Sequence, residues 1–277
     1  MVWFLANIQK FSPNRKISND PPTAIEELKM TQAQKVFFIG GADAEMKEIV
    51  RALMERGESF IDAGLGWGAS VESYKDEIDT ALAAGDQPVL IELAGASEIA
   101  GAIDVDHHGS RSGEPASIIQ VLSLLGIESS RKQLLIAAND SGFIPGMVAA
   151  GDSAAEIAEI RALDRATQGI TPEQEAQAVE VIESRKVDGR LTVVSLTHSK
   201  TATVTDRLFG EYDQLIVLSG DGEVNFFGDG ELCSHLQEKF QGWNGGSGLG
   251  KHRESAFWGG YPDHQEVEDF ILNFLKN

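Results

Sequence analysis

From Lys35 onward, short apolar runs alternate with longer amphipathic ones, and this alternation restricts the fold more than any other feature of the chain. Strand-like runs at 36–39, 60–61, 89–93, 103–105 and 134–138 are separated by helix-like stretches such as 44–56, 70–84 and 116–125. Short apolar strands need cover on both faces, and the intervening helices supply it. The pattern therefore predicts an α/β domain built on a parallel sheet. Two further helices open with capping boxes, Ser153 with Glu156 and Thr171 with Gln174, the second with Pro172 at its first helical position. Asp188-Gly189 is a turn signal and the expected boundary. Beyond it, strand-like runs at 191–196, 214–218 and 224–227, a hairpin signal at Gly220-Asp221-Gly222, a glycine-rich stretch at 242–250 and a closing helix at 265–275 predict a smaller α+β domain. The expected organisation is a poorly structured extension over 1–34, a sheet domain with connecting helices over 35–188, and a second domain over 189–277. Met30 lies just ahead of the first strand, so 1–29 are expected to be an extension or a misassigned start.

Composition narrows the function. Lys and Arg total 23 against 43 Asp and Glu, a formal charge of −20. A field of that sign repels a phosphate backbone, which argues against a protein that tracks long nucleic acid. A metal ion or a local basic pocket is still able to hold a small phosphate compound. The single cysteine, Cys233, admits no intrachain disulfide and fits a reducing compartment. No apolar run approaches the ~18–20 residues that span a bilayer. The expectation is a cytoplasmic protein without a membrane partner, and a homodimer is compatible with it.

Ligands of open α/β sheets bind beyond the carboxyl ends of the strands. The polar residues expected there are Asp43, Asp62, Glu92, Asp106, His107, His108, Asn139 and Asp140. Singly, each reads as a turn former or helix cap. Together, carboxylates meeting imidazoles at one edge would repel unless a divalent cation were bound. An oxygen-rich set with one or two imidazoles favours Mn²⁺, Mg²⁺ or Co²⁺ over a thiolate-type zinc site. Gly64-Leu65-Gly66-Trp67-Gly68 reads as a tight turn rather than a phosphate cradle, and Trp67 as packing rather than a base-stacking platform.

Ile103-Asp104-Val105-Asp106-His107-His108-Gly109, followed by a helix opening at Glu114-Pro115-Ala116-Ser117, resembles the signature of the DHH phosphoesterase superfamily, which includes RecJ-type nucleases, nanoRNases and pAp phosphatases. The run from Leu134 to Gly142 is similar to the family's next motif, read here as a strand ending in a metal-binding Asp. The resemblance extends from Lys35 to the C-terminus. It implies a metal-dependent phosphoesterase acting on a phosphate ester or anhydride of a small, nucleotide-containing substrate, with Mn²⁺ as the expected ion. His107 and Asp140 would be metal ligands, Glu92 would stand at the family's bridging carboxylate, Asp106 would support the site, and His108 would meet the substrate phosphate. The C-terminal domain would bind substrate through Gly248, Gly250, Lys251, His252 and Arg253.

Two departures accompany the resemblance. Glu92 replaces an Asp, adding a methylene. The family's first motif reads His, three residues, Asp, one residue, Asp. Aligning Asp43, the fourth expected ligand, with the last Asp puts Gly41 and Phe37 at the other two positions, where neither binds metal. Glu45 and Asp62 are the nearby acids that could compensate. The rival reading is a catalytically weakened relative that binds a nucleotide or phosphate as a sensor or scaffold.

Overall fold

The computed structural model describes residues 33–66 and 68–276, so the expectations for 1–32 and for Trp67 lie outside the described residues. Contacts divide the chain into two units, the first ending at Gln168 and the second starting at Gly169.

In the first unit, β1 (Lys35–Ile39), β2 (Ser59–Ile61), β3 (Gln87–Ile91) and β4 (Ile103–Val105) form a parallel sheet in the order β2-β1-β3-β4. Side chains alternate across it. Phe37, Ile39, Val89 and Ile91 pack on one face with Met46, Ile49 and Leu53 of α1 (Ala44–Arg56) and Ile118 and Val121 of α3 (Ser117–Leu124). On the other face, Phe38 and Leu90 pack with Tyr74 and with Ile78 of α2 (Lys75–Ala83). Phe37 and Phe38 are both fully buried, each worth roughly 1.5–3 kcal/mol on area bookkeeping. The helix expected over 70–84 is split, a 3-10 turn at Val71–Tyr74 preceding α2.

One expectation is overturned. The run 134–138 is not a fifth strand but part of α4 (Arg131–Ala149). A short apolar run does not distinguish a buried strand from a buried helix. Its surroundings do: Ser130 and Gln133 form a capping box ahead of it, and Leu and Ala are strong helix formers. The helix breaks at Phe143, whose φ of 53° and ψ of −149° are non-helical. The unit closes with α5 (Ala154–Thr167), capped by Ser153 and Glu156 as expected.

The second unit holds a mixed sheet in the order β5-β6-β7-β8-β10-β9. Its strands are β5 (Lys186–Asp188), β6 (Leu191–Leu196), β7 (Gln214–Ser219), β8 (Val224–Asp229), β9 (Trp243–Gly245) and β10 (Ser255–Gly260). Only β6 and β7 pair in parallel, and β7 turns into β8 through Gly220-Asp221-Gly222 as the hairpin signal requires. Helices α6 (Pro172–Glu183) and α7 (Ala202–Thr205) cover one face through Ala178 and Val204. On the other, α8 (Gly230–Phe240) and α9 (His264–Leu275) pack Leu232, Cys233, Leu236, Val267 and Ile271 against Phe226 and Trp258. Helix α6 packs on β6 through Ala178, Val194 and Leu196. No helix among the described residues is long and apolar enough to cross a membrane.

Candidate metal centre

Four parallel strands place their carboxyl ends along one edge, and the candidate residues gather there. Glu45 lies in the first turn of α1. Glu92 follows the last residue of β3 with φ 50°, a left-handed conformation that costs a non-glycine residue of order 1–3 kcal/mol and recurs at functional sites. Gly40 makes room for it, since a Cβ there would run into the carbonyl oxygens of Ile91 and Glu92. Asp106, His107 and His108 follow β4, and Asp140 projects from α4.

These groups converge on one atom. His107 Nε2 is 2.6 Å from Asp140 Oδ2, 3.3 Å from Glu92 Oε1 and 3.8 Å from Glu45 Oε2. His107 is 6% exposed and Glu45 1%. Single ligand atoms of Glu92, His107, His108 and Asp140 all lie within 4.8 Å of one another. Glu45 Oε2, His107 Nε2 and Asp140 Oδ2 are buried, and apart from their contacts with the other groups of this cluster no donor or acceptor satisfies them. Three buried ligand atoms that face one another with no partner outside the cluster, two of them carboxylate oxygens, suit a hard divalent cation. The residues present therefore fit a metal ion.

Protons occupy this charge cluster when metal does not. Burial opposes a charged His107, but hydrogen bonds to Asp140 and Glu92 override it and raise the imidazole from its ordinary 6.5 to about 10. Burial, then the charges of Asp140 and Glu92, push Glu45 far above the usual carboxylate range. Asp43 rises to about 6 through burial, opposed by the backbone N–H of Met46 and reinforced by Asp140 and Glu92. Glu92 moves the other way: burial would raise it, but hydrogen bonds from His107 and Ser117 hold it below its ordinary value. The folded, metal-free protein keeps the His107 proton up to about pH 10, whereas the unfolded chain releases it near 6.5. That contribution to stability is complete below pH 6.5 and is lost as pH rises towards 10. Melting scans without metal should therefore show stability falling across this window. Because a metal must displace the proton, stabilisation by Mn²⁺ should grow across the same window. A Mn²⁺ effect that does not change with pH would contradict this assignment.

The remaining candidates are placed as follows. Asp43 caps α1, its Oδ1 accepting from Met46 N–H at 2.9 Å, and like Glu45 it lies outside the group of four whose ligand atoms are all within 4.8 Å of one another. Asp62 accepts from Gly64 N–H at 2.8 Å in the turn after β2. Asp106 Oδ1 accepts from His108 N–H at 2.9 Å and lies 3.0 Å from His108 Nδ1, which orients an imidazole that is largely exposed at the rim. Glu45 is the residue that the sequence reading left unassigned. Its signal was present: Asp43-Ala44-Glu45 sets a second carboxylate two positions after Asp43, at the start of the same helix.

In the second unit, Asp229 organises the glycine-rich segment. It caps α8 by accepting from Glu231 and Leu232 N–H, and it accepts from Arg253 N–H at 2.7 Å. His252 Nδ1 lies 3.2 Å from both Asp229 and Glu231 carboxylates, and Lys251 pairs with Glu254 at 3.0 Å. A Cβ on Gly230 would strike the carbonyl of Gly248, so that close approach requires glycine. Gly250 N–H donates to Gly230 O at 2.9 Å. A cavity of about 230 Å³ opens beside this segment, lined by Arg253, Asp229, Gln214 and Arg190 among others. Arg190, paired with Asp213, went unnoticed in the sequence because nothing local marks it.

Fold and site define an α/β protein with a four-stranded parallel sheet whose carboxyl edge carries a buried His/Asp/Glu cluster able to hold a metal ion. The chain is similar in structure to PggH, a pGpG-specific phosphodiesterase from Vibrio cholerae, at 13% identity and a TM-score of 0.46, over 88% of this chain and 99% of that one. It also matches an uncharacterised protein from Helicobacter pylori G27 at 13% identity and a TM-score of 0.28, over 89% and 100% of the two chains. No family model and no curated protein matches.

Proposed function

We propose that this protein is a metal-dependent phosphoesterase acting on a phosphate ester or anhydride of a small, nucleotide-containing substrate. The observation that carries the reading is the convergence of the Glu45 and Asp140 oxygens, with Glu92, on the buried Nε2 of His107. Those four residues would hold the ion, for which the oxygen-rich set favours Mn²⁺, while Asp43 caps α1. A divalent ion supplies a nucleophile at neutral pH and polarises a phosphoryl oxygen.

The chain's own residues do the rest. His108, with Nδ1 tied to Asp106, presents Nε2 to the phosphate and holds or moves a proton at that atom. Arg111 pairs with Asp104 at 2.9 Å and with Glu114 at 2.8 Å, which keeps the turn carrying both histidines in place. In the second unit, taken by itself, Lys251, His252 and Arg253, with the backbone of Gly248 and Gly250, are the residues we assign to binding an anion. The cavity beside them is lined by Arg190 and Arg253 together with Asp213, Asp229 and Glu254.

One observation favours binding without turnover. Phe37 is fully buried in the core, so the position aligned with the first motif's histidine supplies no ligand. Release of phosphate or nucleotide from pAp, linear dinucleotides including pGpG, a cyclic dinucleotide and pyrophosphate separates the two readings. Turnover that requires Mn²⁺ is expected, with the preferred substrate naming the branch. Folded, Mn²⁺-loaded protein that is silent on every substrate would move the assignment to the binding protein.

A further inference from the structure

The N-terminal turn of α3 is capped from far away. Its N-cap, Ala116, has no side chain to offer. The backbone N–H of Ile118 instead donates to Glu45 Oε1 at 3.0 Å, across 73 positions of chain, and leaves Glu45 Oε2 turned to His107. One residue earlier, the hydroxyl of Ser117 donates to Glu92 Oε1 at 2.8 Å. Ser117 is fully buried. The first turn of one helix therefore grips two carboxylates of the cluster, where the positive end of the helix favours negative charge.

Both gripped carboxylates are glutamates. A Glu side chain has one more rotatable bond than Asp, so a glutamate ligand loses more freedom on binding unless something orients it beforehand. Glu45 is oriented by a backbone N–H, which any residue at 118 except proline would supply. Glu92 depends on a side chain.

We propose that Ser117 is a positioning residue that fixes the Glu92 carboxylate for metal binding, an inference that rests on the metal reading above. The hydroxyl compensates for the length of Glu92, and it acts only through that carboxylate. Partners of this kind, one step outside the ligands, typically change metal affinity by about 10–100-fold when removed.

The test measures Mn²⁺ affinity by calorimetry on the full chain, in wild type, Ser117→Ala, Glu92→Asp and the double variant. Melting without metal confirms that each is folded. Ser117→Ala should weaken Mn²⁺ binding by at least about 10-fold in the wild-type background. In Glu92→Asp the shorter carboxylate no longer reaches the hydroxyl, so the same change should cost less than about 3-fold there, a non-additivity expected only of groups that act as a pair. Should Ser117→Ala not fold, Ser117→Thr keeps the hydroxyl and should bind within about 3-fold of wild type, and the cycle is then run with Ser117→Cys. Equal Mn²⁺ affinity in wild type and Ser117→Ala, or the same loss in both backgrounds, overturns the proposal while leaving the metal site intact. Wild type that binds no Mn²⁺ overturns the metal reading, and this one with it.

Discussion

In His107→Ala, Mn²⁺-dependent turnover should fall by about 10³-fold or more, and stabilisation by Mn²⁺ should disappear. The imidazole is the point on which Asp140, Glu92 and Glu45 converge, and its Nε2 is buried among them. Its removal takes away the buried nitrogen ligand around which the carboxylates are arranged. Metal assistance is worth several kcal/mol of transition-state stabilisation, and about 4 kcal/mol corresponds to three powers of ten in rate. The thermal readout is independent of substrate choice. At 100-fold excess over its dissociation constant, a bound ion stabilises the folded state by about 2.7 kcal/mol, or roughly 5–10 °C at the scale of this chain. Wild type should show that rise and His107→Ala should not. Asp62→Ala, which alters only the turn after β2, should behave as wild type in both assays. Unchanged Mn²⁺ stabilisation in His107→Ala would remove the cluster from consideration as the metal site.

Arg161→Met should destabilise the first unit by about 3–5 kcal/mol, the usual cost of stranding a buried charge. Arg161 is 7% exposed, and Nη1 donates to Asn139 Oδ1 at 2.9 Å and to Asp164 Oδ2 at 2.8 Å. Its guanidinium also stacks over the Phe143 ring, 4.5 Å from the centroid. Methionine fills the space but takes the guanidinium away from the buried Asp164 carboxylate, which also accepts from Gln168 Nε2 at 3.0 Å. The urea midpoint should drop with little change in slope, and Arg161→Met combined with Asp164→Leu should recover part of the loss, because the stranded charge goes too. Function should suffer as well. Asn139 and Phe143 flank Asp140 on the helix that breaks at Phe143, so loosening this brace should weaken Mn²⁺ binding. A variant with wild-type stability would show that the buried pair is replaceable by apolar packing.

How much of this was legible in the chain differs between elements. Helix α1 was expected over 44–56 and is found there, because its apolar period, an Asp N-cap and a C-terminal glycine agree. The β7–β8 hairpin was equally plain from Gly220-Asp221-Gly222. Segment 134–138 was misread because five apolar residues satisfy strand and helix alike, and the deciding capping box lay outside the run. The edge strands β5 and β9 are three residues each, too short to leave a period. Within the site, Asp106, His107 and His108 were visible as a contiguous motif. Glu45 was obscured by the choice of Asp43, two positions earlier, as the aligned ligand, and Ser117 by having no local partner at all.

By itself, the sequence determined the parallel sheet, the acidic charge that disfavours long nucleic acid, and the contiguous Asp-His-His turn at a strand end. These follow from local period, composition and neighbouring residues, which a chain carries in any conformation. Only the tertiary structure decided that Asp140 arrives from a helix, that Glu45 joins Glu92 around one imidazole nitrogen, and that the start of α3 holds both glutamates. Those contacts join residues 25 to 73 positions apart. Their geometry depends on how helices seat against the sheet, and no local propensity encodes that.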